Sequence, residues 1–88
     1  MERKIKVLVV DDSALMRKLI SRILESDPDI QVVGTAPDGS FALKKIPQTN
    51  PDVVTLDVEM SGMDGVTALG CIMAESPLPV VMISSLTQ

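Results

Sequence analysis

The 88-residue chain contains no histidine, no tryptophan, no tyrosine, one phenylalanine and one cysteine. Without imidazole there is no Ser-His-Asp or Cys-His nucleophile, no histidine acid–base step and no histidine-ligated metal. Phe41 alone cannot stack a run of bases, which excludes a single-strand binder built on an aromatic platform. Cys71 has no intrachain disulfide partner and suits a reducing compartment, read here as the cytoplasm. Long apolar runs are also missing. The stretch after Met1-Glu2-Arg3-Lys4 runs only from Val7 to Val10 before Asp11 breaks it, which fits neither a signal peptide nor a membrane span. Basic charge is in deficit: eight Lys and Arg face twelve Asp and Glu, for a net charge of -4. Nucleic acid and anionic membrane surfaces require the opposite footprint.

What is present points to a folded core. Hydrophobic residues make up 45% of the chain and charged residues 23%, outside the composition of disordered segments. The length allows one domain, residues 1–88, and surface scaling gives it roughly 5,000 Å² of folded surface against roughly 13,600 Å² unfolded. A domain that small has a thin stability margin.

Ile5 to Val10 reads as a strand buried on both faces, rich in β-branched residues. From Ala14 the pairs Leu15-Met16, Leu19-Ile20 and Ile23-Leu24 recur at helical spacing and predict one apolar helix face, with Arg17, Lys18, Ser21, Arg22 and Glu25 elsewhere. Asp12 or Ser13 is the expected N-cap, and Asp27-Pro28 the stop. Ile30 to Thr35 is a second strand, and Asp38 caps a short helix that Pro47 should close. Val53 to Leu56 predicts a third strand ending at Asp57, with a glycine-containing loop from Ser61 to Gly65. Val66 to Glu75 follows as a helix whose apolar face is Val66, Leu69, Ile72 and Met73, and Val80 to Ile83 is a fourth strand ending at Ser84. The alternation βαβαβαβ, with strands too apolar for a one-sided sheet, predicts an α/β fold: an open parallel sheet with helices on both faces.

Ligands of such sheets bind beyond the carboxyl ends of the strands. Three of the four predicted strands end there in oxygen-bearing side chains: Asp11 and Asp12, Asp57, and Ser84. Carboxylates brought that close repel, by roughly 3 kcal/mol for a pair about 5 Å apart at an effective dielectric of about 20. A hard divalent cation resolves the conflict, and Mg²⁺ needs few protein oxygens because it keeps several waters. Asp12 and Asp57 are the first choices as ligands, with Asp11 holding water or orienting the ion. Asp57, in the middle, is also a competent nucleophile toward phosphorus, and Ser84 can donate to a phosphoryl oxygen.

Simpler roles cover many residues. Asp12, Ser13 and Asp38 can serve only as caps, Asp11 and Asp57 as strand-ending acids, and Ser84 as a loop hydroxyl. Lys44 and Lys45 read as a solvated face, the methionines as packing or loop residues, and Cys71 as a small boundary side chain. The first βα turn, Val10 to Ala14, has no glycine and fits neither a dinucleotide fingerprint nor a P-loop. A phosphatase with a strand-end nucleophile would want a second aspartate where Glu59 stands.

Lys6 to Ser13 (KVLVVDDS), Asp38-Gly39, and Asp57 followed by Met60 to Gly65 (MSGMDG) resemble the receiver domain of bacterial two-component response regulators. Val53 to Met60 (VVTLDVEM) and Leu78 to Gln88 (LPVVMISSLTQ) are more narrowly similar to the amino-terminal receiver of chemotaxis protein-glutamate methylesterases. The resemblance implies a flavodoxin-like fold of strand order 2-1-3-4-5, of which four strands fall in these 88 residues; the last strand and last two helices do not. It implies that Asp57 is the phosphoacceptor, that Asp11, Asp12, Asp57 and the backbone carbonyl of Glu59 hold Mg²⁺, and that Ser84 is the switch hydroxyl. It also implies a histidine kinase as phosphodonor and, in cis, a methylesterase domain that the receiver regulates. Whether the chain itself counts as an enzyme is left open. Ser61 stands where the family usually has proline, Phe41 where it often has glutamate, and the family's phosphoryl-pairing lysine has no counterpart. The fourth strand should be an open edge and the first helix should lack a packing neighbour, which invites self-association or complementation by a partner. The competing reading is a non-catalytic binding or assembly module with the same fold.

Overall fold

The computed structural model describes residues 3–60 and 62–84. Strand β1 (Ile5–Val10) leads to helix α1 (Ala14–Glu25), then β2 (Ile30–Ala36), α2 (Gly39–Thr49), β3 (Val53–Asp57), α3 (Gly65–Glu75) and β4 (Val80–Ile83). All pairings are parallel and the order is β2-β1-β3-β4, the expected open sheet. The chain moves outward from β1 to β2 and then crosses back to β3. That reversal sends α1 to one face of the sheet and α2 and α3 to the other, and it creates a switch point between β1 and β3.

Alternation along the strands divides two cores. Leu8, Val10, Val54 and Leu56 join Ala36, Ala42, Ile46, Met60, Ala68 and Ile72 in one buried cluster under α2 and α3. Val7 and Val9 are buried as well and point the opposite way, toward α1. The α1 side is less completely covered. Met16, Ile20 and Leu24 are half-buried, but Leu15, Leu19 and Ile23 are exposed, and α1 contains no fully buried residue. The apolar pairs therefore form two stripes rather than one buried face. Only the stripe leaning on β1 and β2 finds a partner, and no described element covers the other. A similar correction applies to α3: Ala68 and Ile72 enter the core, Leu69 is half-buried, and Val66 and Met73 are exposed. Val81, on edge strand β4, is 53% exposed on the α1 side.

Local chemistry sets the element boundaries. Ser13 caps α1, its Oγ accepting from the Met16 N–H at 3.2 Å. Asp38 caps α2 by accepting from the Phe41 N–H at 3.0 Å, and Asp64 caps α3 through the Thr67 N–H at 2.8 Å. These charge-assisted bonds hold the carboxyls of Asp38 and Asp64 below the usual aspartate value. Pro47 does not close α2, which runs on to Thr49 and stops where Asn50 turns left-handed at φ 49°. Proline forfeits one bond to the preceding turn. In the last turn that loss is small beside the termination Asn50 provides, with its N–H returning to the Ile46 carbonyl at 2.8 Å. A one-residue bulge leaves Val33 unpaired between the Val7–Val32 and Leu8–Gly34 registers. Asp52 ties the start of β3 to β1: its carboxylate accepts from the Lys6 N–H at 2.8 Å and pairs with Arg3. The Lys6 bond is the main reason its carboxyl is held low.

Candidate functional site

β1 and β3 are neighbours, with Val10 in register with Leu56, so the residues that follow each strand tip emerge side by side. The carboxylates of Asp11, Asp12 and Asp57 meet there, each offering one oxygen, all within 4.8 Å of one another. Asp11 and Asp57 are buried, at 5% and 6% exposure, while Asp12 is exposed. The cluster therefore has a buried floor and an open rim.

Backbone contacts hold the two buried acids. The Asp11 N–H donates to the Ala36 carbonyl at 3.1 Å, and its Oδ1 accepts from the Ser13 N–H at 2.9 Å. Oδ1 of Asp57 accepts from the Glu59 N–H at 3.0 Å. Each of these acids closes a turn onto a backbone N–H two residues ahead. Burial pushes the Asp11 carboxyl up from its ordinary value, and the charges of Asp57 and Asp12 push the same way, against the Ser13 bond and the Arg17 charge. Burial and the neighbouring acids thus disfavour the charged form of Asp11, and added positive charge at the cluster would favour it. Three hard oxygens with a buried floor suit a small divalent cation, so the residues fit Mg²⁺.

Gly65 packs against the backbone at the end of β3. A Cβ there would lie 2.4 Å from the Asp57 carbonyl oxygen and 2.7 Å from the Val58 Cα. Only glycine lets the start of α3 come this close to the end of β3, and the Gly65 N–H donates to the Val58 carbonyl at 3.0 Å. Ser84 directly follows Ile83, which is in register with Asp57, and Ser84 is exposed. Glu59 is exposed on the turn after Asp57. Ser61 lies outside the described residues, as do 85–88 of the Leu78 to Gln88 stretch.

Two contributors are not legible from sequence pattern. Gly65 looks like any loop glycine until its distance to Asp57 is known. Arg17, which helical spacing assigns to a polar face, is half-buried and donates from Nη1 to the Asp11 carbonyl at 2.8 Å. A cavity of about 250 Å³ lined by Ile46, Pro47, Asn50, Pro51, Ser76, Pro77 and Leu78 sits before β3 and β4, at the opposite end of the sheet. It has no ionisable lining and takes no part in this site. No helix among the described residues is long and apolar enough to cross a membrane.

Comparison with known proteins adds an independent line. The family model described as "Response regulator receiver domain" matches residues 7–88. A protein-glutamate methylesterase/protein-glutamine glutaminase of Rhodospirillum rubrum is 60% identical over 88 residues, covering 100% of this chain and 24% of that protein. The chain thus spans about a quarter of the length of the curated relatives it matches. Among solved structures, the response regulator domain of Thermotoga maritima CheB superimposes with a TM-score of 0.89 at 50% identity, covering 98% of this chain and 64% of that one. The CheX-CheY-BeF3-Mg+2 complex from Borrelia burgdorferi gives a TM-score of 0.85 at 38% identity, over 98% of this chain and 66% of that one.

Proposed function

The chain belongs to the response regulator receiver domain family, and from that premise we propose that Asp57 accepts a phosphoryl group from a phosphohistidine of a partner kinase. The observation that supports this reading most strongly is the meeting of three carboxylates within 4.8 Å at the β1/β3 switch point. A carboxylate oxygen of Asp57 supplies the electron pair for the new P–O bond. The P–N bond to the donor imidazole breaks in line, and the imidazole leaves with that bond's electrons and takes up a proton. The product is an acyl phosphate on Asp57. Bound Mg²⁺ would supply charge neutralisation on the transferring group.

The chain's own residues do the rest. Asp11, Asp12 and Asp57 offer carboxylate oxygens to the ion, and Glu59 offers its backbone carbonyl. The Glu59 N–H on Oδ1 fixes the Asp57 carboxylate and leaves the other oxygen for attack. Ser84, past the tip of β4, donates its hydroxyl to a phosphoryl oxygen once Asp57 is modified. The bound species named for the Borrelia relative, Mg²⁺ and a beryllium fluoride, match in kind what this site is proposed to hold.

We extend the reading to a cytoplasmic chemotaxis regulator, as the family resemblance implies. In it, phosphorylation of this domain controls a protein-glutamate methylesterase domain in cis. The exposed Leu15, Leu19 and Ile23 stripe, with the open β4 edge, also supports self-association of the 88-residue chain. Exposure to a small-molecule phosphodonor with Mg²⁺, followed by intact-mass measurement, tests the central step. A gain of one phosphoryl group, lost in Asp57→Asn and in EDTA, is expected. An unchanged mass in a folded sample would overturn the proposal.

A further inference from the structure

Metal-free, the cluster has a mechanical problem. Two of its three acids are consecutive residues on one loop, and mutual repulsion pushes that loop away from Asp57. The Asp11 N–H donating to the Ala36 carbonyl and the Ser13 N–H donating to Asp11 Oδ1 restrain one side of the turn. The other side is the Asp11 carbonyl, which belongs to the peptide leading into Asp12. Its partner is Arg17, one turn into α1, at 2.8 Å in a half-buried setting. Without the guanidinium, that carbonyl would be left without this donor in a place where water has limited access.

We propose that Arg17 is a positioning residue for the divalent-cation site: its bond to the Asp11 carbonyl locks the Asp11–Asp12 peptide so that both carboxylates stay aimed at Asp57 before the ion arrives. The choice of acceptor is what makes this work. A guanidinium paired with the carboxylates would compete with the cation for their oxygens. Bonded to the carbonyl, it braces the loop without itself occupying the Asp11 carboxylate, while its charge relieves Asp11. The guanidinium reaches back from α1 to the loop after β1, tying the segment that presents two of the acids to the helix that follows it. The inference rests on the Mg²⁺ reading above, and outer contacts of this kind typically change metal affinity 10- to 100-fold.

Electrostatics and positioning predict opposite signs, which makes the test sharp. Removing a positive charge beside a cation site should by itself tighten Mg²⁺ binding. Loss of a brace should loosen it. Calorimetric Mg²⁺ titration of the 88-residue chain, of Arg17→Met and of Arg17→Lys is the experiment, with thermal melts in EDTA alongside. Arg17→Met is expected to raise the Mg²⁺ Kd about 10-fold, at both low and high salt, and Arg17→Lys to recover most of the loss through its remaining donor. Should Arg17→Met fail to fold, Arg17→Gln, too short to span the same gap, is expected to loosen binding likewise. A folded Arg17→Met or Arg17→Gln that binds Mg²⁺ as tightly as the parent, or more tightly, overturns the proposal. So does an Arg17→Lys variant no better than Arg17→Met. If the parent chain itself binds no Mg²⁺, the failure belongs to the metal reading and not to Arg17.

Discussion

Replacing Asp11 by asparagine should stabilise the metal-free protein and abolish its response to Mg²⁺. Oxygens of Asp11 and Asp57 lie within 4.8 Å, a separation at which two unit charges repel by about 3.5 kcal/mol at an effective dielectric of about 20, and by about 0.9 kcal/mol in bulk water. Repulsion between Asp11 and Asp12 counts for less, because adjacent residues repel in the unfolded chain as well. Asparagine still offers an oxygen to the Ser13 N–H, but as a neutral acceptor that forfeits roughly 1 kcal/mol. The balance is a stabilisation of about 1–2 kcal/mol. An unfolding entropy of about 2.1 cal/mol/K per residue converts this to a Tm rise of roughly 5–10 °C for a chain this size in EDTA. Free Mg²⁺ at a hundred times its Kd adds about 2.7 kcal/mol to the parent and little to the variant, so the order of the two melts should reverse.

The pH dependence has a fixed sign. Asp11 holds its proton longer folded than unfolded, so its ionisation subtracts stability as pH rises from about 3.9 through its raised folded value. Asp11→Asn lacks that decline. The depressed carboxyls of Asp38, Asp52 and Asp64 act oppositely: the stability they add is present above about 3.9 and lost as pH falls through their lowered values. Circular-dichroism melts across pH, with and without Mg²⁺, read both effects. A lower Tm for Asp11→Asn in EDTA, or a Mg²⁺ gain equal to the parent's, would refute the reasoning.

Thr55, on the side of the sheet that carries α1, has its Oγ1 buried and without a hydrogen-bond partner. Thr55→Val keeps the shape and removes the orphan hydroxyl, so a gain of about 1 kcal/mol in urea midpoint analysis is expected. Gly65→Ala must displace backbone next to Asp57; a loss of about 1–3 kcal/mol and slower phosphorylation at saturating Mg²⁺ should appear together in melts and mass-spectrometric time courses. Sedimentation at micromolar concentration should show association of the parent chain, and Leu19→Lys with Ile23→Glu on the exposed stripe should shift it toward monomer.

Strand tips were the legible part of this protein. Asp11, Asp12 and Asp57 each end or follow a short β-branched run, and the rule that parallel sheets bind ligands at those ends sufficed to bring them together. Less visible was anything decided by what packs on what. Leu15, Leu19 and Ile23 have the spacing of a buried face, and periodicity alone does not show that they stay exposed, which only the family resemblance anticipates. Pro47 reads as a stop, but its place in the final turn and the left-handed Asn50 decide the end of α2. The β2 bulge at Val33 and the reach of Arg17 to the Asp11 carbonyl leave no trace in residue pattern, because each depends on a distance between chain segments. Ser84 reads as the end of the fourth strand and lies one residue past it, directly after the partner of Asp57; its proposed phosphoryl contact would arise only after modification of Asp57.

The most direct measurement follows the side-chain carboxyl carbons of Asp11, Asp12 and Asp57 by NMR while Mg²⁺ is titrated into the folded chain. One binding event felt by all three, with a shared Kd, is the predicted result. Silence at all three, or movement of the exposed Asp12 alone, would contradict the claim that this sheet gathers them around a single ion.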